Sequence, residues 1–206
     1  MTDTELFGWH FTREDGTTSN LRTREVIGTT YRQTGKIAAC INGLHGSLRA
    51  LDALNYAYDT TFVQYCRFGG EIVQQSDKLA ASERTPLYEG NVESAMRTFA
   101  FECADRAVRI HAPAALRSAG METKAVAIEG LSPIVDITTA RTAAKAAKAA
   151  KAAGDAAYAA AYAAADAAAD AAYAAADAAR DAERNWQNTR LETLLRAALN
   201  MPEASE

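Results

Sequence analysis

The chain has 206 residues, a net charge of −4 at pH 7 and a hydrophobic content of 49%. This length fits one compact domain with an appendage, and the acidic balance argues against a nucleic-acid-binding face. Charged residues interrupt every apolar run that could cross a bilayer, and the polar N-terminus does not resemble a signal peptide. We therefore expect a cytoplasmic protein whose partners are neither nucleic acids nor membranes.

The first part of the chain is expected to be β-rich. Aromatic side chains at every second position, Phe7, Trp9 and Phe11, predict a strand that leads into a turn at Asp15-Gly16. Ser47 is expected to cap a short helix. Further short strands are predicted at 26–31, 37–41, 61–68 and 71–75.

The next part has the spacing of a helix. Asn91 is an acceptable N-cap, and apolar residues follow it at intervals of three and four positions. Pro113 is expected to interrupt this helix. The patterns together predict an α+β fold, with a domain over 1–131 that is β-rich over 1–90 and helical over 91–131.

Residues 132–200 are alanine-rich, and we expect a long helix or a helical hairpin there. More than half of residues 139–188 are alanine, which has the highest helix propensity. From Asp155 onward the polar residues recur every eleven positions, a period of about 3.67 residues per turn that keeps them on one stripe of a helix. The stripe is either part of a scaffold helix that packs on its own domain or on a copy of itself, or a binding surface. The predicted binding residues are Tyr158, Tyr162, Asp166, Asp170, Tyr173, Asp177 and Trp186.

The course of this alanine-rich element is left open by one dipeptide. Gly154-Asp155 fits a C-cap followed by an N-cap, which would fold the chain into a hairpin, whereas the unbroken phase of the polar stripe favours a continuous rod. Near the C-terminus large apolar residues return at helical spacing, and this end is expected to dock on the globular part or on a second subunit. Residues 201–206 are expected to fray.

The clearest candidate for chemistry is the run Gly43-Leu44-His45-Gly46-Ser47. It is similar to the His-Gly-Ser/Thr run of ADP-ribosyltransferases, in which the His and the Ser hold the nicotinamide ribose. That resemblance makes His45 and Ser47 candidate catalytic residues. It also implies a later Tyr and a catalytic Glu, for which the candidates are Tyr56, Glu71 and Glu93. The alternative is a structural His that ties the turn to the following helix by hydrogen bonds.

No metal or cofactor site is expected elsewhere. The three histidines are scattered, and His10 is interpreted as a half-exposed strand residue. Glycine spacings typical of phosphate-binding loops are missing. Cys40, Cys66 and Cys103 are widely spaced, so we expect buried free thiols in a reducing cytosol. These observations do not favour an enzyme.

Two longer stretches resemble known proteins. The run NGLHGSLRALDALNYA, followed by QYCRFGGEIVQQSDKLAASERT, resembles small uncharacterised proteins of bacteriophages of actinobacteria and their relatives. The run FAFECADRAVRI, followed by the alanine tract and NWQNTRLETLL, looks like the C-terminal half of the same group and is similar to alanine-rich immunity-like proteins. The resemblance covers most of residues 36–199 and implies a phage accessory or immunity-like protein in the host cytoplasm.

The favoured hypothesis is a phage-encoded, non-enzymatic interaction module of accessory, immunity-like or anti-defence type. It would self-associate or bind a protein partner through the alanine-rich helix. The first alternative is a nucleotide-handling or NAD-handling domain, similar to ADP-ribosyltransferases, which predicts a concave pocket around His45 and Ser47. The second alternative is a structural component of the virion.

Overall fold

The computed structural model describes residues 5–18, 24–58, 60–118, 120–143 and 169–202, with the backbone alone for 169–180. The predicted α+β fold is confirmed, because a five-stranded antiparallel sheet in the N-terminal part is followed by helices. The chain forms two compact units, which we describe separately. The first consists of 1–96 and 186–206, and the second of 97–185.

A single antiparallel sheet forms the frame of the first unit. Its strands are β1 (Leu6–Thr12), β2 (Tyr31–Arg32), β3 (Leu44–Gly46), β4 (Phe62–Gln74) and β5 (Leu79–Asn91). The strand order is β1-β4-β5-β2, and β3 pairs with the first three residues of β5. The predicted strand with alternating aromatic residues is confirmed as β1, where Trp9 and Phe11 are buried.

Strand β4 is one strand of 13 residues, where the sequence predicts two strands separated by Gly69-Gly70. These glycines coincide with a shift in the pairing register between β4 and β5, and Gly70 has a φ of 69°. A bulge of this kind absorbs an irregularity without ending the strand. A second shift next to Cys66 lies opposite Pro86, whose missing N–H cannot take part in the ladder.

Two of the predicted strands are wrong. The segment 26–31 is extended only at its end, in β2, because Gly28 turns the chain with a φ of 80°. The segment 37–41 belongs to a tight turn in which Ala38 and Asn42 exchange backbone hydrogen bonds of 2.8 and 2.9 Å. Short apolar runs are compatible with both strands and turns, so periodicity alone could not separate them.

Helix α1 (Ala50–Leu54) begins without the residue that the sequence predicts as its cap. The backbone of Ser47 pairs with that of Trp9 at 2.8 and 3.0 Å, which fixes Ser47 beside the sheet. The N-cap position is Arg49, which makes no side-chain cap. The prediction of a Ser47 cap is therefore wrong.

The end of the long helix α6 (Ala169–Ala198) supplies the missing cap. Glu192 accepts a hydrogen bond from the backbone N–H of Ala50, and Asn188 accepts one from that of Leu51, both at 3.1 Å. The predicted docking of this apolar end on the globular part is confirmed within the first unit. The buried apolar side chains of this end are Leu191, Leu195 and Leu199.

The second unit is helical in its described residues. Helix α2 (Glu93–Arg106) continues through a π-helical turn (Ala107–His111) into α3 (Ala112–Ser118), and α4 (Glu122–Glu129) and α5 (137–143) follow. Asn91 caps α2 as predicted, because its side chain accepts the N–H of Glu93 at 3.0 Å. The predicted interruption at Pro113 takes the form of a change of helix type and not of a break in the chain of helical turns. The π-helical turn ends α2 just before Pro113, which lies in the first turn of the short α3.

Helical structure is present in the last part of the alanine-rich element, in α6. Gly154, Tyr158, Tyr162 and Asp166 lie outside the described residues, so the course of the chain there stays a prediction. Asp170, Tyr173 and Asp177 belong to α6, but only their backbone is described. Trp186 is half-buried. Within the described residues, no helix combines the length and the apolar character that crossing a membrane requires.

Candidate functional site

A cavity of about 270 Å³ opens in the first unit beside the end of β3. Its floor is formed by buried apolar residues, and its rim by polar side chains that differ in exposure. An apolar floor with a few polar groups is the usual composition of a small-molecule site. The lining residues are Trp9, His10, Phe11, Cys40, His45, Gly46, Ser47, Ala53, Tyr56 and Lys78.

Strand β3 is held at this cavity by a buried ion pair. Arg84 donates to the backbone carbonyl of His45 at 2.7 Å and to the carboxylate of Glu25 at 2.7 Å. The two charged side chains are 1% and 0% exposed. The guanidinium therefore fixes the position of His45 from behind the cavity wall, and Glu25 balances its charge.

His45 lies in β3 and connects the strand to the preceding turn. Its Nε2 accepts a hydrogen bond from the backbone N–H of Cys40 at 3.1 Å. Burial and then the positive charges of Arg84 and Lys78 lower the pKa of His45. The ring is therefore neutral at pH 7, and its proton resides on Nδ1 because Nε2 is the acceptor. This hydrogen bond ties His45 to the turn before it.

His10 is the second histidine of the cavity, and it comes from β1. The residue is half-buried, and its Nε2 atom is buried without a hydrogen-bond partner among the described residues. Burial, followed by the charges of Arg84 and His45, lowers the pKa of His10 well below its ordinary value. A neutral imidazole nitrogen that lacks a partner is a costly group to bury unless something pairs with it.

Cys40 lies at the tip of the turn that faces the cavity. It is exposed and has a φ of 64°, in the left-handed region that L-residues rarely adopt. The turn is fixed by Asn42, whose amide nitrogen donates to the carbonyls of Thr34 and Lys36 at 3.0 and 3.1 Å. The expectation of three buried thiols is therefore wrong for Cys40, because the turn presents it outward, whereas Cys66 is fully buried.

Lys78 completes the rim from the loop between β4 and β5. Hydrogen bonds to Cys40 and then to Tyr56 raise the pKa of Lys78, which keeps its ammonium charged. Its Nζ lies 4.7 Å from the centroid of the Tyr56 ring. The Tyr56 hydroxyl in turn donates a short hydrogen bond to Asp77, which raises the pKa of the phenol. These contacts connect the three rim side chains with each other.

The structure brings the two predicted catalytic candidates together with others that the sequence did not single out. His45, Ser47 and the predicted Tyr56 all line the cavity, whereas the Glu candidates Glu71 and Glu93 do not. Among the described residues, no three His, Cys, Asp or Glu side chains are arranged to hold a metal ion. The sequence analysis did not identify three residues of the site, His10, Cys40 and Lys78. They come from a strand, a turn and a loop that are far apart in the chain.

Comparisons with known proteins place this cavity in a recognised domain. Residues 10–98 match the family described as a domain of unknown function, DUF7666. That stretch is less than half of the chain, and it contains every residue that lines the cavity except Trp9. Neither the curated proteins nor the solved structures include a match to the chain.

Proposed function

We propose that residues 10–98 form a ligand-binding domain whose cavity holds the ring-bearing end of a nucleotide of the NAD class. The observation that carries the proposal is a cavity lined by two histidines, His10 and His45, together with Ser47. A heterocycle with hydrogen-bonding groups would meet these polar side chains. The apolar floor would contact the faces of its ring.

The dimensions of the cavity limit what part of a ligand enters it. Ligand pockets usually measure about 300–1,000 Å³, and this cavity, at about 270 Å³, lies just below that range. It therefore suits one ring with its first substituent, and the remainder of a nucleotide would lie outside. Lys78 stands at the rim, where an ammonium group can bind a phosphate or carboxylate.

The site favours binding over ADP-ribosyl transfer. The resemblance to ADP-ribosyltransferases implies a catalytic Glu, but no carboxylate is among the lining residues, all of which are described. The rings of His10 and His45 are neutral, so they can form hydrogen bonds but carry no charge. We therefore assign nucleotide binding to this cavity without the transferase step.

Calorimetric unfolding and titration test this proposal on the full chain. NAD, nicotinamide mononucleotide and AMP should each be tested, and a ligand at one hundred times its Kd should stabilise the folded protein by about 2.7 kcal/mol. His10→Leu should abolish binding while the protein stays folded, because it removes a buried polar atom without a partner. His111→Leu, which changes a histidine of the second unit, is the matched control. If none of these ligands stabilises the protein, the proposal is wrong.

The alanine-rich helix supports a second proposal, which is a phage-encoded interaction module in the host cytoplasm. The observation in its favour is that α6 runs as one helix for 30 residues through the last of the eleven-residue repeats. Its apolar end is anchored in the first unit, and all three cysteines are free, as suits a reducing cytosol. Light scattering on the full chain, with Tyr173→Ala and Asp177→Ala as variants, tests it. A monomer that captures no partner protein would contradict the proposal.

A further inference from the structure

The first unit has a second cavity, which measures about 420 Å³ and is wide open to solvent. It continues from the cavity beside β3, here called the first cavity, because the same two segments line both. Phe11 lines the first cavity, and Arg13, two positions later, lines the second. Tyr56 and Tyr58 divide between the two cavities in the same way. Two residues of extended chain span about 7 Å, so the two cavities are neighbours.

We propose that the second cavity binds the nucleoside end of a dinucleotide whose other ring lies in the first cavity. The inference rests on the proposed function and deepens it, since it makes a dinucleotide of the NAD class, and not a mononucleotide, the ligand of the domain. The base stacks on Tyr58 and Arg13. The carboxylates of Glu14 and Asp15 accept hydrogen bonds from the ribose hydroxyl groups.

Tyr58 and Arg13 provide the surface on which a base stacks. Tyr58 is 88% exposed, so its ring is open to a ligand. The guanidinium carbon of Arg13 lies 5.4 Å from the centroid of this ring, within the range of a cation–π contact. Bases stack both on aromatic rings and on guanidinium planes. Both members of the pair therefore suit a purine ring.

Two adjacent carboxylates, Glu14 and Asp15, line the same cavity. Ionised carboxylates accept hydrogen bonds but donate none, which suits the hydroxyl groups of a ribose. An acidic residue has this role in dinucleotide-binding folds. One positive and two negative side chains give the lining a net charge of −1, which disfavours a phosphate on that ribose. The cavity therefore selects NAD over NADP.

The turn that carries these side chains is ordered by its own hydrogen bonds. The backbone N–H of Gly16 donates to the carbonyl of Arg13 at 2.8 Å, and that of Thr17 donates to Oδ1 of Asp15 at 2.8 Å. Hydrogen bonds from Thr17 lower the pKa of Asp15, so this carboxylate is ionised at neutral pH. A carboxylate accepts several hydrogen bonds, so Asp15 can still bind a ribose hydroxyl. Groups that are ordered before binding lose less entropy when the ligand arrives.

Calorimetric titration of the full chain with NAD and with nicotinamide mononucleotide measures what the second cavity adds. NAD is expected to bind about tenfold more tightly than the mononucleotide, the usual effect of stacking one base. Tyr58→Ala should remove this advantage and leave the affinity for the mononucleotide unchanged. Equal affinities of the parent protein for the two ligands would overturn the inference.

NADP tests the two carboxylates, because it differs from NAD by one phosphate on the ribose of the adenosine end. The parent protein is expected to bind NAD about tenfold more tightly than NADP, because like charges meet in the NADP complex. The double variant Glu14→Gln with Asp15→Asn should bring this ratio close to one. Glu71→Gln, which changes an exposed carboxylate that lines neither cavity, should leave the ratio unchanged. A double variant that kept the full preference for NAD would overturn the role assigned to the two carboxylates.

Adenosine tests the second cavity alone, because it lacks the nicotinamide ring. Saturation-transfer NMR should detect adenosine bound to the parent protein, and Tyr58→Ala should remove the signal while the circular dichroism spectrum stays that of the parent. If adenosine binds in this way but nicotinamide mononucleotide does not bind, only the proposed function of the first cavity fails. If the mononucleotide binds but Tyr58→Ala changes the binding of neither adenosine nor NAD, only the present inference fails.

Discussion

Glu192 accepts a hydrogen bond from the backbone N–H of Ala50 at 3.1 Å, although 142 residues separate them in the chain. The same carboxylate oxygen accepts one from Nε of Arg49 at 2.8 Å. One side chain of α6 therefore holds the start of α1, which directly follows β3. Since Ala53 of α1 lines the cavity, the C-terminal helix supports the candidate site.

This long-range cap should be measurable as stability. Glu192→Ala should lower the free energy of unfolding by about 1–2 kcal/mol, the usual cost of losing an N-cap. Urea denaturation followed by circular dichroism is the measurement. Thr189→Ala, at an exposed position of the same helix, is the control and should change the stability little. If both variants lost the same free energy of unfolding, the cap would make no specific contribution to stability.

The prediction of the fold from sequence succeeded where local patterns decide the structure. The alternating aromatic residues gave β1, and Asn91 was recognised as the cap of α2. The prediction failed where contacts between residues far apart in the chain decide the local structure. Nothing near Ser47 indicates that its backbone will pair with Trp9, or that the cap of α1 will come from α6.

The sequence predicted only part of the candidate site, because residues far apart in the chain form the rest of it. His45 and Ser47 stand out because they share one short glycine-rich run. His10, Cys40 and Lys78 are ordinary residues in their local sequence, and only the pairing of the strands brings them to one cavity. The available signal for His10 was a histidine that follows Trp9 and precedes Phe11 in the sequence, which places it on the opposite face of β1 from both aromatic residues.

The buried ion pair behind β3 should be essential for stability. Removing one partner leaves the other charge buried, so Glu25→Leu should cost about 3–5 kcal/mol. The double variant Glu25→Leu with Arg84→Met should recover most of that loss, since neither charge remains. Urea denaturation of the three proteins measures this.

An exposed ion pair on the neighbouring strand provides the comparison for the buried pair. Arg32 and Glu83 are 3.0 Å apart, with side chains 66% and 37% exposed. Arg32→Met should therefore cost less than about 1 kcal/mol. If Glu25→Leu cost no more than this substitution, the role of the buried pair in holding His45 would be contradicted.

Close packing at Gly46 gives a prediction about the end of β3. A Cβ atom added to Gly46 would overlap the ring of Phe68, which is fully buried. Gly46→Ala should therefore destabilise the protein by about 1–3 kcal/mol, the cost of overpacking. Thermal denaturation is the measurement, and Phe68→Leu in the same chain should recover part of the loss by providing space.

Gly69→Ala is the control for this effect. A Cβ at Gly69 would meet only a carboxylate oxygen of Glu83 at 3.9 Å, an ordinary contact. The substitution lies in β4 and, like Gly46→Ala, adds one methyl group. If it destabilised the protein as much as Gly46→Ala, the contact with Phe68 would not be the cause.

The pKa of His10 determines how stability should change with pH. It lies well below 6.5 in the folded protein because of burial, whereas in the unfolded chain it takes its ordinary value of about 6.5. Between these two values the unfolded state binds the extra proton, so acid favours unfolding. The contribution of His10 is complete above about pH 6.5 and is lost as the pH falls, by about 1.4 kcal/mol per pH unit. His45, whose pKa burial also lowers, adds to the same trend.

His10→Leu isolates this contribution. The variant should lose part of the decrease in unfolding free energy between pH 6.5 and the lower pKa of His10, while His111→Leu should retain it. Urea denaturation at a series of pH values provides the measurement, with far-ultraviolet circular dichroism as the signal. If His10→Leu kept the full slope, the pKa of His10 would be the same in the folded and the unfolded protein, which would contradict the burial of its ring.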